Sequence, residues 1–147
     1  MHAPPPRLGK MQLQIMQVLW DRGEATARQI TEELCRTTPI AHSTVQTLLR
    51  KMEAKGAITH DASERIFVFR PLYPRHEVNG SVAQDILKRV FGGSVYGLVS
   101  HLFKSETISA DEMRRLRELI EESERRAAEA NGAQPRDEDG TESVETE

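Results

Sequence analysis

Residues 44–56 read TVQTLLRKMEAKG, and the side chains there carry the most specific chemistry in the chain. Ser43, Gln46, Thr47 and Arg50 recur at intervals of three and four, so a helix gathers them on one face, with Thr44 and Lys51 at its edges. These six supply hydroxyls, an amide, a guanidinium and an ammonium, and no carboxylate. Such groups hydrogen-bond base edges and phosphates. Gln46 has the donor–acceptor pair that matches adenine, Thr44 and Thr47 suit a thymine methyl, and Arg50 and Lys51 suit phosphates, with guanine also within the reach of Arg50.

A helix that lays this face on DNA must be held from behind. Val45, Leu48, Leu49 and Met52 fall at i, i+3, i+4 and i+7 and form an apolar stripe opposite the polar one. Gly56 follows and can take the left-handed conformation that ends a helix. Upstream, the spacing predicts a helix over residues 9–20, with Met11, Ile15, Val18 and Leu19 in line and Trp20 in the core. Asp21, Arg22 and Gly23 break it. Thr26 opens a second helix, with Gln29 completing a capping box and Ala27, Ile30 and Leu34 facing inward. Thr37, Thr38 and Pro39 make the turn before the polar helix, which starts near Ala41 or is capped by Ser43.

Downstream, residues 57–60 and 66–70 read as short strands joined by the polar turn DASER at 61–65. Arg65 lies at the tip of that hairpin, placed for a backbone or minor-groove contact. Lys10, at the start of the first helix, is a further phosphate candidate. Three short helices and a hairpin in about 70 residues are the order of a winged helix-turn-helix. The fold expected is mainly α: an N-terminal winged helix with a C-terminal helical dimerisation region.

That rear region starts near residue 75, after RPLYPRHE, whose two prolines suggest a hinge. Val82, Ile86, Val90 and Phe91 lie along one helix, and Gly92 with Gly93 stops it. Val95, Leu98 and Leu102 line a second. Ser109 and Glu112 cap a third, which carries Met113, Leu116, Leu119 and Ile120. About 50 residues with such wide apolar faces bury too little surface to stand alone, so these side chains are expected to meet a second copy. The domains expected are a disordered arm at 1–7, the winged helix at 8–74, the dimerisation region at 75–128 and a disordered acidic tail at 129–147.

Composition agrees with a DNA partner. Residues 1–75 hold 11 Lys/Arg against 7 Asp/Glu, a balance of +4. Residues 76–147 hold 9 against 16, a balance of −7, and together these give the net −3. A basic front suits a polyanion. Cys35 is the only cysteine, which excludes an internal disulfide and a thiolate-rich metal site. His2, His42, His60, His76 and His101 show no ligand spacing, and there is no nucleophile–base pair, so no enzyme, metal or cofactor is expected. No apolar run reaches the roughly 20 residues of a membrane span, and the expected location is the cytoplasm.

These features together resemble the penicillinase-repressor and methicillin-resistance-repressor family of bacterial transcription regulators. The matching pieces are LGKMQLQIMQVLW, STVQTLLRKMEAKGAI, IFVFRPL, KRVFGGSVYGLVSHLF and ISADEMRRLRELIEE, spanning residues 8–122. The resemblance implies a homodimer that represses transcription from a dyad-symmetric double-stranded DNA operator. It also implies release by proteolysis in the dimerisation region, triggered by a membrane sensor metalloprotease that answers β-lactams. The family's susceptible bond would fall near residues 100–102. Ser100, His101 and Leu102 stand there, where well-known members have asparagine and phenylalanine. The copper-responsive branch needs a cysteine-rich tail, and no cysteine follows Cys35. Two alternatives use the same elements: a ligand sensed between the rear helices, near Tyr96 and Phe103, and a winged helix that binds protein.

Overall fold

The computed structural model describes residues 3–132. The chain forms helix α1 (Lys10–Arg22), strand β1 (Ala25–Thr26), helices α2 (Ala27–Cys35) and α3 (His42–Ala54), strands β2 (Ile58–Ser63) and β3 (Ile66–Pro71), and helices α4 (Arg75–Arg89), α5 (Val95–Ser105) and α6 (Ala110–Gly132). The three strands make one antiparallel sheet in the order β1, β3, β2.

One core holds the first part together. Ile15, Met16 and Leu19 of α1, Ile30 of α2, Val45, Leu49 and Met52 of α3, and Ile58 of β2 are almost fully buried. The stripe at i, i+4 and i+7 on α3 is therefore the face that docks, and the polar face turns outward. α1 continues through Asp21 and Arg22, two residues that local pattern marks as breakers, and stops at Gly23, whose φ of 82° only glycine adopts without cost. The Thr26 capping box forms as expected: its hydroxyl accepts from the Gln29 amide at 3.2 Å, and the Gln29 side chain accepts from the Thr26 amide at 3.0 Å. α3 begins after Ala41 without a side-chain cap, so Ser43 lies inside the helix. It ends at Gly56 (φ 82°), where the Ala57 N–H returns to the Met52 carbonyl at 3.0 Å and closes a Schellman turn.

The strands differ from the sequence expectation in two ways. Asp61, Ala62 and Ser63 belong to β2, so the turn is only Glu64-Arg65; Ser63 pairs with Ile66 across it. β1 is an addition. It has two residues, too few for any periodicity, and exists because Ala25 and Thr26 pair with Phe69 and Val68.

The stretch before α4 is packed and not a free hinge. The Trp20 indole N–H donates to the Tyr73 carbonyl at 2.9 Å, and the Arg75 guanidinium lies 5.5 Å from the Trp20 ring centre and pairs with Asp21. Trp20 is thus a half-buried anchor at the core's edge. Pro74 precedes the first turn of α4, Val78 is buried in the winged-helix core, and Val82, expected on a dimer face, packs against that core too. The compact unit with the winged helix accordingly runs from Met1 to Val95, past the boundary expected at residue 74. The described part of the arm joins it: Arg7 pairs with Asp85 at 2.9 Å, and the Lys55 ammonium donates to the Arg7 carbonyl at 3.1 Å.

Gly92 and Gly93 both take positive φ, and the Gly93 N–H bonds the Leu87 carbonyl at 2.8 Å. A second compact unit begins at Tyr96. α6 starts as expected, its Glu112 amide held by the Ser109 hydroxyl at 3.1 Å, but it runs on to Gly132, through residues expected to be disordered. The rest of the acidic tail lies outside the described residues. Neither α5 nor α6 buries a residue. Among the described residues, no helix is long and apolar enough to cross a membrane.

Candidate nucleic-acid interface

α3 presents Ser43, Thr44, Gln46, Thr47, Arg50 and Lys51 as exposed side chains, all on the side away from the buried Val45, Leu49 and Met52. The Thr47 hydroxyl donates to the Ser43 carbonyl at 3.0 Å. That bond occupies its proton and leaves the methyl and the oxygen lone pairs to meet a partner. At the helix start, His42 Nδ1 lies 2.9 Å from the Thr31 hydroxyl, which itself donates to the Ala27 carbonyl at 2.8 Å. The Thr31 proton is therefore used, and the ring must supply the N–H between them. This ties the first turn of α3 to α2.

The other end of α3 is fixed as well. The Lys55 ammonium reaches the Gln12 amide oxygen at 3.4 Å, and the same oxygen accepts from the Gly9 N–H at 2.9 Å. Glu53 pairs with His60 of β2, whose ring stacks on Phe67 at 4.2 Å between centroids. The polar helix is thus clamped to α1, α2 and the hairpin, and its exposed face is carried on a rigid support.

Between α3 and the hairpin runs a cleft of about 620 Å³. Gln46, Arg50 and Arg65 line it, so three of the residues picked from the sequence come together. Ile66, Phe67, Phe69 and Leu49 form its apolar lining, and the start of α2 contributes Thr26, Ala27 and Arg28. Arg28 is not legible from the sequence, because a single exposed arginine on a short helix gives no signal by itself. Lys10 does not join this cleft. It lies in a separate depression lined by the arm, Lys55 and Asp85 of α4. Among the described residues, no group of three or more histidine, cysteine or acidic side chains is arranged to hold a metal ion.

A helical trio, a hairpin wing and a polar helix clamped at both ends, its one acid (Glu53) turned to His60, define a winged helix-turn-helix protein of the DNA-binding class. The particular family follows from comparison of the whole chain. Residues 8–122 match the model of the penicillinase repressor family, and the chain belongs to it. The penicillinase repressor of Bacillus licheniformis is 25% identical over 124 residues, covering 84% of this chain and 97% of that protein. The transcriptional regulator BlaI of Mycobacterium tuberculosis (strain CDC 1551 / Oshkosh) is 30% identical over 120 residues, covering 80% and 86%. The solution structure of the DNA-binding domain of the repressor BlaI aligns with a TM-score of 0.46 at 27% identity, over 52% of this chain and 93% of that one.

Proposed function

We propose that this chain is a sequence-specific transcriptional repressor that binds a dyad-symmetric DNA operator as a homodimer in a bacterial cytoplasm, and that proteolysis in its rear helices lifts repression. The observation that carries the DNA reading is the outward face of α3: six exposed polar or basic side chains without an acid, on a helix held at both ends, in a chain of the penicillinase repressor family. Gln46 and Thr47 read base edges, Thr44 and Ser43 flank them, and Arg50, Lys51 and Arg65 hold phosphates.

Dimerisation is supported by what α5 and α6 leave uncovered. Tyr96 is 84% exposed, and Leu102, Leu119 and Ile120 are about half exposed. Apolar side chains at helical spacing on two neighbouring elements gain from burial against a second copy. Val95 and Leu98 lie on the same α5, and Met113 and Leu116 on the same α6; Val90 and Phe91, expected to join them, follow the end of α4. Joining two reading heads raises avidity by about 10²–10⁴. Cutting near residues 100–102 removes that gain and leaves the front unit intact, which is a complete switch without a small-molecule pocket. The partner that would cut is a membrane sensor metalloprotease.

Footprinting of the region upstream of the chain's own coding sequence tests this. Protection of two half-sites related by a dyad, about one helical turn or a multiple apart, is the expected result. An unprotected promoter, or a single isolated half-site, would contradict it.

A further inference from the structure

We infer that the cleft between α3 and the hairpin seats one sugar-phosphate strand of the bound duplex, and that Arg28 of α2 is a phosphate-binding residue there, together with Arg50 and Arg65. The inference rests on the DNA reading above and adds to it a residue and a location that the α3 face alone does not supply.

Two observations carry it. The first is charge. Within the first unit, Arg7, Arg36, Arg70, Arg75 and Arg89 each lie within 4 Å of a carboxylate. Among the described residues of that unit, Arg22, Arg28, Arg50 and Arg65 have no such partner. None of the arginines neutralised within the fold lines the cleft, and three of the four free guanidinium groups, drawn from α2, α3 and the wing, converge on it, while Arg22 at the end of α1 lies outside it. A guanidinium fork matches phosphate oxygens and needs no protonation change to do so. The second observation is the lining. Leu49, Ile66, Phe67 and Phe69 give the same cleft an apolar lining beside these cations, and Ile66 and Phe67 remain about half exposed. A nucleic-acid strand alternates anionic phosphates with the hydrocarbon face of deoxyribose. A cleft lined by both guanidinium groups and apolar side chains complements that alternation. A fully polar groove would not.

Arg28 is the discriminating residue because it lies on α2, outside the helix that reads bases. Its contact would add affinity without sequence information. The test uses the full-length protein and two duplexes: one spanning the chain's own promoter region and one of mixed sequence. Affinity is measured against salt for the wild type, Arg28→Ala and Arg28→Lys, with thermal melting to confirm that each variant is folded. Removing one phosphate-binding cation lowers the salt slope by about 0.9, so a dimer on a full site, short of two, drops by about 1.8. The expected result is that Arg28→Ala shows this shallower slope on the promoter duplex and weakens both duplexes by a similar factor, and that Arg28→Lys keeps most of the slope. If the wild type binds the promoter and Arg28→Ala binds with an unchanged slope, the cleft assignment is overturned while the DNA reading stands. If Arg28→Ala weakens the promoter duplex alone, the residue reads bases and the assignment fails in that form. If the wild type binds neither duplex, the functional reading itself fails and takes the assignment with it.

Discussion

Gln46 and Lys51 lie little more than one turn apart on the same helix, yet the chemistry assigns them different tasks. Gln46 offers an amide whose donor and acceptor can both be satisfied by one adenine edge. Replacing it by alanine removes a bidentate base contact, worth about 1–3 kcal/mol of discrimination. Gln46→Ala is therefore expected to lower operator affinity by roughly 5- to 150-fold and to leave binding to a mixed-sequence duplex nearly unchanged. Lys51 is a point charge at the edge of the face. Lys51→Ala should weaken both duplexes alike and lower the salt slope by about 0.9 per protomer. Titration of both variants against both duplexes at several salt concentrations separates the two roles. Stability offers an independent check at this scale. Thr26 caps α2 through its hydroxyl, 3.2 Å from the Gln29 amide. Thr26→Ala should cost about 1 kcal/mol in chemical denaturation.

The elements show where local pattern suffices and where it does not. α1, α2 and α3 are legible in the sequence because each buries one stripe at helical spacing. The polar face of α3 is legible because residues 43–51 hold no acid; Glu53, at i+7 from Gln46, is taken up by His60 of β2. The wing is only half legible. DASER is polar throughout, which is how a loop reads, but Asp61, Ala62 and Ser63 pair with β3 and only Glu64 and Arg65 turn. Both turn residues have positive φ, 51° and 70°. That is the backbone of a type I′ hairpin, which normally selects Asn-Gly. The fold holds a glutamate and an arginine there at a cost in strain, and the arginine lines the cleft. Glu64→Asn should relieve part of this strain without touching the cation. A gain of about 1 kcal/mol, or about 4–8 °C in melting temperature for the first unit, is expected with operator affinity retained or improved. Arg65→Gly should also stabilise the turn but weaken DNA binding. Calorimetry beside a binding titration would expose that opposition. β1 and the docking of α4 are illegible for a different reason. Both depend on partners distant in sequence: β1 on β3, and Val78 with Arg75 on the α1 region, and no local periodicity records a long-range partner.

At the scale of the whole molecule, charge changes sign along the chain near the place where packing divides it. Residues 1–75 carry +4 and residues 76–147 carry −7, by the counts of 11 against 7 and 9 against 16. The compact unit with the winged helix closes at Val95. That unit has its own buried core, including Val78 of α4, so a fragment ending at residue 95 keeps every residue of that core. It should remain folded by circular dichroism and melt cooperatively. α5 and α6 bury no residue, which leaves Leu119 and Ile120 on α6 as apolar side chains more than half exposed. Charges placed there would be unpaired at a closed interface but harmless on an open surface. Leu119→Asp with Ile120→Asp should therefore yield a folded monomer by light scattering. On a full palindromic site its affinity should fall by about 10²–10⁴, the avidity of the second head, while its affinity for an isolated half-site matches that of the wild-type protomer. The fragment ending at residue 95 should give the same half-site affinity. A double variant that stays dimeric would place the dimer contact away from α6. A monomer that still holds the palindrome at wild-type affinity would mean that two joined heads are not what makes operator binding tight.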